Sequence, residues 1–319
     1  MIQTVPWLSD ETSEIKNPNT RLHNEIIEFY DYIRPSKEDH KKRVQICQTL
    51  KDILEGAIKD AYLIPFGSFA TQLYLPTSDI DLGLISEVDD EIELIRKTRE
   101  VLGRHEDRFE NIQCVLKAKV RLIKFIDTKT KIELDMSFNQ VNGLQNINEV
   151  DKALKIHPEI KYLVMVMKMF LKQRRMHETF TGGIGSFLLF CMILAFVRWH
   201  KKDMEERYND IYSVNEIALG DILLRFLRFY GSFKINDDAI HMIDGGSIRK
   251  KESTDLEFQL FSPFEPERNI GGQSFKIKEI FAVFRNRSQI LQNRAYSTRG
   301  SILKDLLNPQ EQDFNEFLT

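Results

Sequence analysis

The sequence predicts an α+β fold on two observations. Segments that alternate apolar and polar residues crowd between positions 61 and 138, whereas from residue 146 onward the apolar spacing is helical. A third observation, the length of 319 residues, predicts about two domains and a core that needs no disulfide or structural metal.

Taken in order, residues 1–19 are polar, with Pro6 and Trp7 as an anchor. Residues 20–33 place Leu22, Ile26, Ile27, Phe29, Tyr30 and Ile33 near helical spacing, and Pro35 stops that helix. Ser36 reads as an N-cap, with Asp39 in a capping-box position, opening a helix to about residue 59 that carries Val44, Ile46, Cys47, Leu50, Ile53 and Leu54. Residues 61–66 form a short apolar strand, 89–102 an amphipathic helix, and 113–126 one or two strands. Over 132–138 the alternation is clean: Ile132, Leu134, Met136 and Phe138 fall on one face, Glu133, Asp135 and Ser137 on the other. Residues 161–174 are apolar on nearly every side, which marks a buried helix. A helix to Trp199 follows the run TGGIGS, and another spans 212–230. Residues 235–261 read as irregular, 262–272 as a turn-rich loop, 274–291 as a helix and 298–307 as a last short helix.

Charge and composition narrow the function classes. The net charge is −3 and the isoelectric point about 6.2, so any grip on nucleic acid must be local, transient or helped by a partner. Cys47, Cys114 and Cys191 are far apart and form no CxxC pair, which argues against a zinc site or a disulfide framework and fits a reducing compartment. No signal peptide opens the chain, and the longest apolar run, 187–197, is too short to span a bilayer. No membrane partner is expected.

The richest stretch is 66–84, FGSFATQLYLPTSDIDLGL. Asp79 and Asp81 stand two apart against Ile80, Leu82 and Leu84, so on a strand both carboxylates project from one face. Paired carboxylates repel unless a cation lies between them, and hard oxygen ligands suit Mg²⁺. Gly67 allows close backbone approach and Ser68 adds a hydroxyl, an arrangement that suits a phosphate. The plain alternative is a turn and two surface aspartates. Asp135, on the polar face of a second alternating strand, is the candidate third carboxylate; Glu133 competes with it.

Further along, Lys168 and Lys172 are four apart on one face of the buried helix. Either a triphosphate partners them or both reach solvent at the helix edge. The glycines of TGGIGS precede a helix N-terminus, where Ser186 can donate to phosphate or ribose and Phe187 can stack on a base. The alternative is a glycine turn before a core helix.

Gly-Ser followed by Asp-Ile-Asp after a short gap resembles the signature of the DNA polymerase beta-like nucleotidyltransferases. The likeness narrows to nuclear poly(A) polymerases of the Trf/PAPD type, the catalytic subunit of the TRAMP RNA-surveillance complex. It rests on FGSFATQLYLPTSDIDL, AKVRLIKFID, LDMSFNQVNGL, KMFLKQRR, TGGIGSF, Asn269-Ile270 ahead of Ser274-Phe275, and RGSIL, in that order over nearly the whole chain. The resemblance implies a catalytic domain with a small mixed sheet flanked by helices over 36–145. That domain would be inserted in a mainly helical central domain of 1–35 plus 146–319, with the nucleotide in the cleft between them. It implies that Asp79, Asp81 and Asp135 bind two divalent ions, Mg²⁺ or Mn²⁺, and that ATP is the substrate. Gly67, Ser68, Lys168, Lys172 and Ser186 would meet triphosphate and ribose, and Phe187 the base. Gly143, Leu144 and Asn146 would line sugar and base, and Asn269 would belong to the base-recognition loop.

The resemblance also implies AMP transfer to RNA 3′ ends, a nuclear location, a zinc-knuckle RNA-binding partner, an RNA helicase and, indirectly, the exosome. Two departures bear on the base. The loop opens Ser262-Pro263 where Asp-Pro is usual, and Arg268 stands where relatives that prefer uridine carry histidine. The alternatives are a terminal uridylyl or mixed-tailing enzyme, a catalytically silent scaffold of a helicase complex, and a DNA repair polymerase.

Overall fold

The structure, a computed structural model, describes residues 5–309 apart from 89, 119, 141, 209–217, 253 and 295–298. The chain divides into two compact units, Arg34–Lys152 and the pair of segments Met1–Ile33 and Ala153–Thr319.

In the first unit Ser36 caps α3 (Lys37–Ala57) by accepting from the Asp39 N–H at 3.0 Å. Asp39 itself turns to Arg43 rather than back to the cap. There follow β1 (Ala61–Pro65), the single turn α4 (Gly67–Ala70), β2 (Ile80–Ser86), α5 (Glu91–Gly103), β3 (Phe109–Val115), β4 (Leu122–Asp127) and β5 (Glu133–Phe138). The sheet order is β1-β2-β5-β4-β3. β2 and β5 run parallel and the other neighbours antiparallel, so the sheet is mixed. The alternation read in the sequence is the alternation of burial. Ile80, Leu82 and Leu84 of β2 and Leu134, Met136 and Phe138 of β5 are wholly buried. They share a core with Ile46, Leu50 and Leu54 of α3 and with Leu94 and Leu102 of α5.

The second unit is mainly helical: α1 (Asp10–Ser13), α2 (Pro18–Ile33), α7 (Ile160–Lys172), α8 (Ser186–Tyr208), α9 (Leu219–Gly231) and α10 (Ile277–Arg294). α6 (Asn142–Ile156) holds the second boundary between the units within it, and it begins earlier than the helical pattern in the sequence suggests. Within α7, Leu163 to Leu171 are buried without a break. The part of the expected 212–230 helix that covers 212–217 lies outside the described residues.

Two expectations change. The stretch read as irregular carries a small sheet of β6 (Asp238–His241), β7 (Ser247–Lys250) and β8 (Leu260–Phe261) in the order β7-β6-β8. Strands this short hold too few residues for a period to emerge. The expected last helix is only a 3-10 turn, Leu303–Asp305. Its chain is captured instead by Glu25 of α2, which is fully buried and accepts from the Ile302 N–H at 2.7 Å, the Leu303 N–H at 3.1 Å, Trp7 Nε1 at 3.1 Å and the Ser301 hydroxyl. Among the described residues no helix is long and apolar enough to cross a membrane.

Candidate active site

The first unit presents its acidic residues on the polar face of the sheet. Because β2 and β5 are parallel, Asp81 lies directly opposite Asp135, and neighbouring strands are about 4.8 Å apart. Asp79 stands just ahead of β2, two residues before Asp81. Glu133 is exposed and pairs across with Ile126 of β4. Gly67 has φ +64°, a left-handed conformation, and a Cβ there would collide with the Asp81 carboxylate. The Phe66 N–H donates to the Asp81 carbonyl at 3.0 Å, which ties this turn to β2. Ser68 is buried, and its carbonyl accepts from the Leu73 N–H at 3.0 Å. Gly143, in the first turn of α6, lies against Phe66, where a Cβ would sit 3.3 Å from the ring. Asn146 is half-buried one turn on, and the Leu144 side chain lies outside the described residues.

Sequence reasoning missed Lys124. It lies in register with Asp135 on β4, and its Nζ reaches Asp135 Oδ2 at 2.5 Å. Burial disfavours the ammonium. Its hydrogen bond to Asp135, with the charges of Asp135, Asp79 and Glu133, outweighs that and raises the Lys124 pKa. The signal was present: Lys124 is the polar residue between Ile123 and Phe125, on the same sheet face as Asp135. Among the described residues no three His, Cys, Asp or Glu side chains already form an ion cage, and Asp135 is turned to an ammonium. The donor chemistry nonetheless fits a hard divalent ion, since a face carrying Asp79, Asp81 and Asp135 demands positive charge and holds only oxygen ligands.

In the second unit Lys168 is buried, so it does not reach solvent at the helix edge, and Lys172 is half-buried in the last turn of α7. The glycines of TGGIGS make room for neighbouring parts of the chain. A Cβ on Gly182 would strike the Phe275 ring, one on Gly183 the Met176 carbonyl, and one on Gly185 the Thr179 methyl. Ser186 is exposed at the start of α8 and Phe187 half-buried. The Phe187 ring faces Phe264, with centroids 6.3 Å apart and an interplanar angle of 37°. Phe264 sits in the late loop and was also missed, because an isolated aromatic in a turn has no pattern to betray it.

Asn269 does not offer its amide outward. Its Oδ1 accepts from the Leu260 N–H at 3.1 Å and the Gly271 N–H at 2.9 Å, and its Nδ2 donates to the Phe258 carbonyl at 3.1 Å. Asn269 therefore builds the loop. Arg268 pairs with Glu265 at 3.2 Å, both well exposed. Ser262 is buried, and its hydroxyl accepts from the Phe264 N–H at 3.4 Å and the Glu265 N–H at 3.3 Å. That is the capping role an aspartate ahead of proline plays, so the departure at this position leaves the turn intact.

The fold and these motifs agree with known proteins. Residues 22–148 match the family model for the central palm domain of mitochondrial-like poly(A) RNA polymerase. Poly(A) RNA polymerase protein 1 of Saccharomyces cerevisiae is 31% identical over 98% of this chain. The polymerase core of TRAMP, an RNA surveillance complex, superposes with a TM-score of 0.81 and 27% identity, covering 99% of this chain and all of that one. Over nearly its whole length the chain is similar to Trf-type poly(A) RNA polymerases. It spans about half (51%) of the yeast relative's length. An inactive Drosophila melanogaster relative of this family, Trf4-2, is 26% identical over 92% of this chain and 75% of its own length. The Cid1 poly(U) polymerase bound to MgATP shares the fold, with a TM-score of 0.74 and 22% identity over 86% of this chain and 96% of that one. Within such a family, activity turns on individual side chains rather than on the fold.

Proposed function

We propose that the chain is a template-independent nucleotidyltransferase that adds AMP from ATP to RNA 3′ ends. The observation that carries this reading is Asp81 opposite Asp135, with Asp79 beside them, on the polar face of the sheet in a Trf-type homologue. Mg²⁺ or Mn²⁺, bound there as a pair of ions, would supply Lewis acidity for an attacking hydroxyl and for leaving pyrophosphate. Asp79, Asp81 and Asp135 would hold these ions, with the Lys124 ammonium beside Asp135. Gly67 keeps the space in which the Asp81 carboxylate stands, and the backbone at Gly67 and Ser68 meets phosphate. Lys168 and Lys172 balance the charge of the triphosphate. Ser186 takes the ribose, Phe187 stacks on the base beside Phe264, and Gly143, Leu144 and Asn146 line the sugar and base. Asn269 and Arg268 shape the loop. Likeness to the TRAMP core supports a place in nuclear RNA surveillance with a zinc-knuckle RNA-binding partner, a helicase and, through them, the exosome.

The inactive Drosophila relative gives a second reading, a silent scaffold, its force. Against it stand Asp81 and Asp135 in register on the polar sheet face with Asp79 two residues before Asp81, the three carboxylates that the chemistry needs. Primer extension on labelled oligoadenylate with each NTP in turn tests both, beside an Asp79→Ala/Asp81→Ala variant. Extension with ATP, lost in the variant, supports the polymerase, and preference for UTP moves it to uridylyl transfer. No extension together with no Mg²⁺-dependent ATP binding would leave the scaffold.

A further inference from the structure

The loop that delivers Asp79 to the sheet is tied down from outside through its carbonyls. Between α4 and β2 the chain runs through Leu73, Tyr74, Leu75, Pro76, Thr77 and Ser78. Ser78 closes a local turn, its hydroxyl accepting from the Leu75 N–H at 3.1 Å and its N–H donating to the Leu75 carbonyl at 2.8 Å. Carbonyls withdrawn from water need donors, and for three half-buried carbonyls of this loop the donor comes from α3. Arg43 is fully buried. Its Nη2 donates to the Pro76 carbonyl at 2.7 Å, and its Nη1 to the Ser78 carbonyl at 2.8 Å and the Asp79 carbonyl at 3.4 Å. Its Nε is held by Asp39 Oδ2 at 3.0 Å, and the guanidinium lies 4.7 Å from the Tyr74 ring centroid.

We propose that Arg43 is a positioning residue for the nucleotidyl-transfer site, fixing the main chain that presents Asp79. A buried guanidinium costs free energy unless its charge and donors are satisfied, so a partnered one fixes the geometry of whatever it binds. Here the anchor runs from the capped start of α3, through Asp39, to the carbonyl of Asp79 itself. Metal sites depend on ligands held to within about 0.5 Å, and a shift of about 1 Å can cost about a hundredfold in rate. Lysine cannot substitute, because a point ammonium lacks the planar fork that spans several carbonyls at once. The inference rests on the reading of Asp79 as a metal ligand.

The test compares Arg43→Met, Arg43→Lys and Asp39→Asn with wild type and with Asp79→Ala. Three quantities are measured: thermal midpoint, kcat and KM for ATP with the Mg²⁺ concentration for half-maximal extension, and Mn²⁺ binding by electron paramagnetic resonance without nucleotide. In folded Arg43→Lys we expect kcat to fall about a hundredfold with KM for ATP little changed. The Mg²⁺ midpoint and the Mn²⁺ dissociation constant should each rise at least about tenfold, with Asp39→Asn intermediate. A lower thermal midpoint with wild-type Mg²⁺ and Mn²⁺ dependence would make Arg43 merely structural and overturn the inference. If Arg43→Met does not fold, Arg43→Lys and Asp39→Asn decide. The Mn²⁺ arm needs no turnover, so it tests Arg43 even where ATP proves the wrong substrate. Full Mn²⁺ affinity in Asp79→Ala would instead refute the ligand assignment itself.

Discussion

At the scale of single residues the acidic face balances repulsion against whatever cation is at hand. Lys124 supplies that charge to Asp135. Replacing it with methionine leaves carboxylates facing one another with one positive charge fewer. Lys124→Met should therefore melt lower than wild type without divalent ions, and Mg²⁺ should recover more of the melting temperature in the variant than in wild type. An equal Mg²⁺ shift in the two proteins would mean that Lys124 does not compensate this face. Gly67 is constrained twice, by φ +64° and by the Asp81 carboxylate that a Cβ would strike. The left-handed conformation alone costs a non-glycine residue about 1–2 kcal/mol. The collision falls on a carboxylate read here as a metal ligand. Gly67→Ala should thus lose nucleotidyl transfer nearly completely while unfolding only modestly earlier in urea. Near-normal transfer would show that Asp81 moves aside at no cost to the chemistry.

Among the elements, what could be read in the sequence was what burial makes periodic. Asp79, Asp81 and Asp135 were legible because Ile80, Leu82, Leu134 and Met136 alternate with them and are buried. Lys124 obeys the same rule but draws attention only once the register of β4 against β5 is known. The strands β6 to β8 were not legible because they are too short to show a period, and the end of the chain because it is set by a partner distant in sequence. Leu303 opens only a 3-10 turn, whose first N–H, with that of Ile302, goes to Glu25. Helix α7 makes a comparable link, since Glu159, just ahead of it, meets Lys201 of α8 at 2.9 Å and His157 at 3.5 Å. Burial pushes the Glu159 carboxyl up, but hydrogen bonds from His157 and Lys201 outweigh it and bring its pKa down to about 2. A depressed carboxylate stabilises the fold above its unfolded pKa, near 4.5, and that contribution is lost as the pH falls through about 2. Urea midpoints of Glu159→Gln and wild type should differ at neutral pH and converge across that window. A gap that persists below it would assign the difference to packing rather than to charge.

For the molecule as a whole, the charge total constrains function more than the fold does. The chain carries −3 overall, and acidic residues line the very face proposed for catalysis. Several of its cations are engaged locally: Arg43 with loop carbonyls, Lys124 with Asp135, Arg268 with Glu265 and Lys201 with Glu159. With no net basic excess to draw RNA along the surface, the RNA footprint should be small. Each phosphate neutralised on a single strand contributes about −0.7 to the slope of log affinity against log salt. Binding of a labelled oligoadenylate by this chain alone, followed by fluorescence anisotropy across a salt series, should be weak, with a slope no steeper than about −2, the signature of about three phosphate contacts. On the proposed function such a footprint would reach only the 3′ end of the RNA and would leave the rest to a partner. A slope of about −5 would mean a basic track strong enough to hold RNA unaided, and the need for a partner would disappear with it.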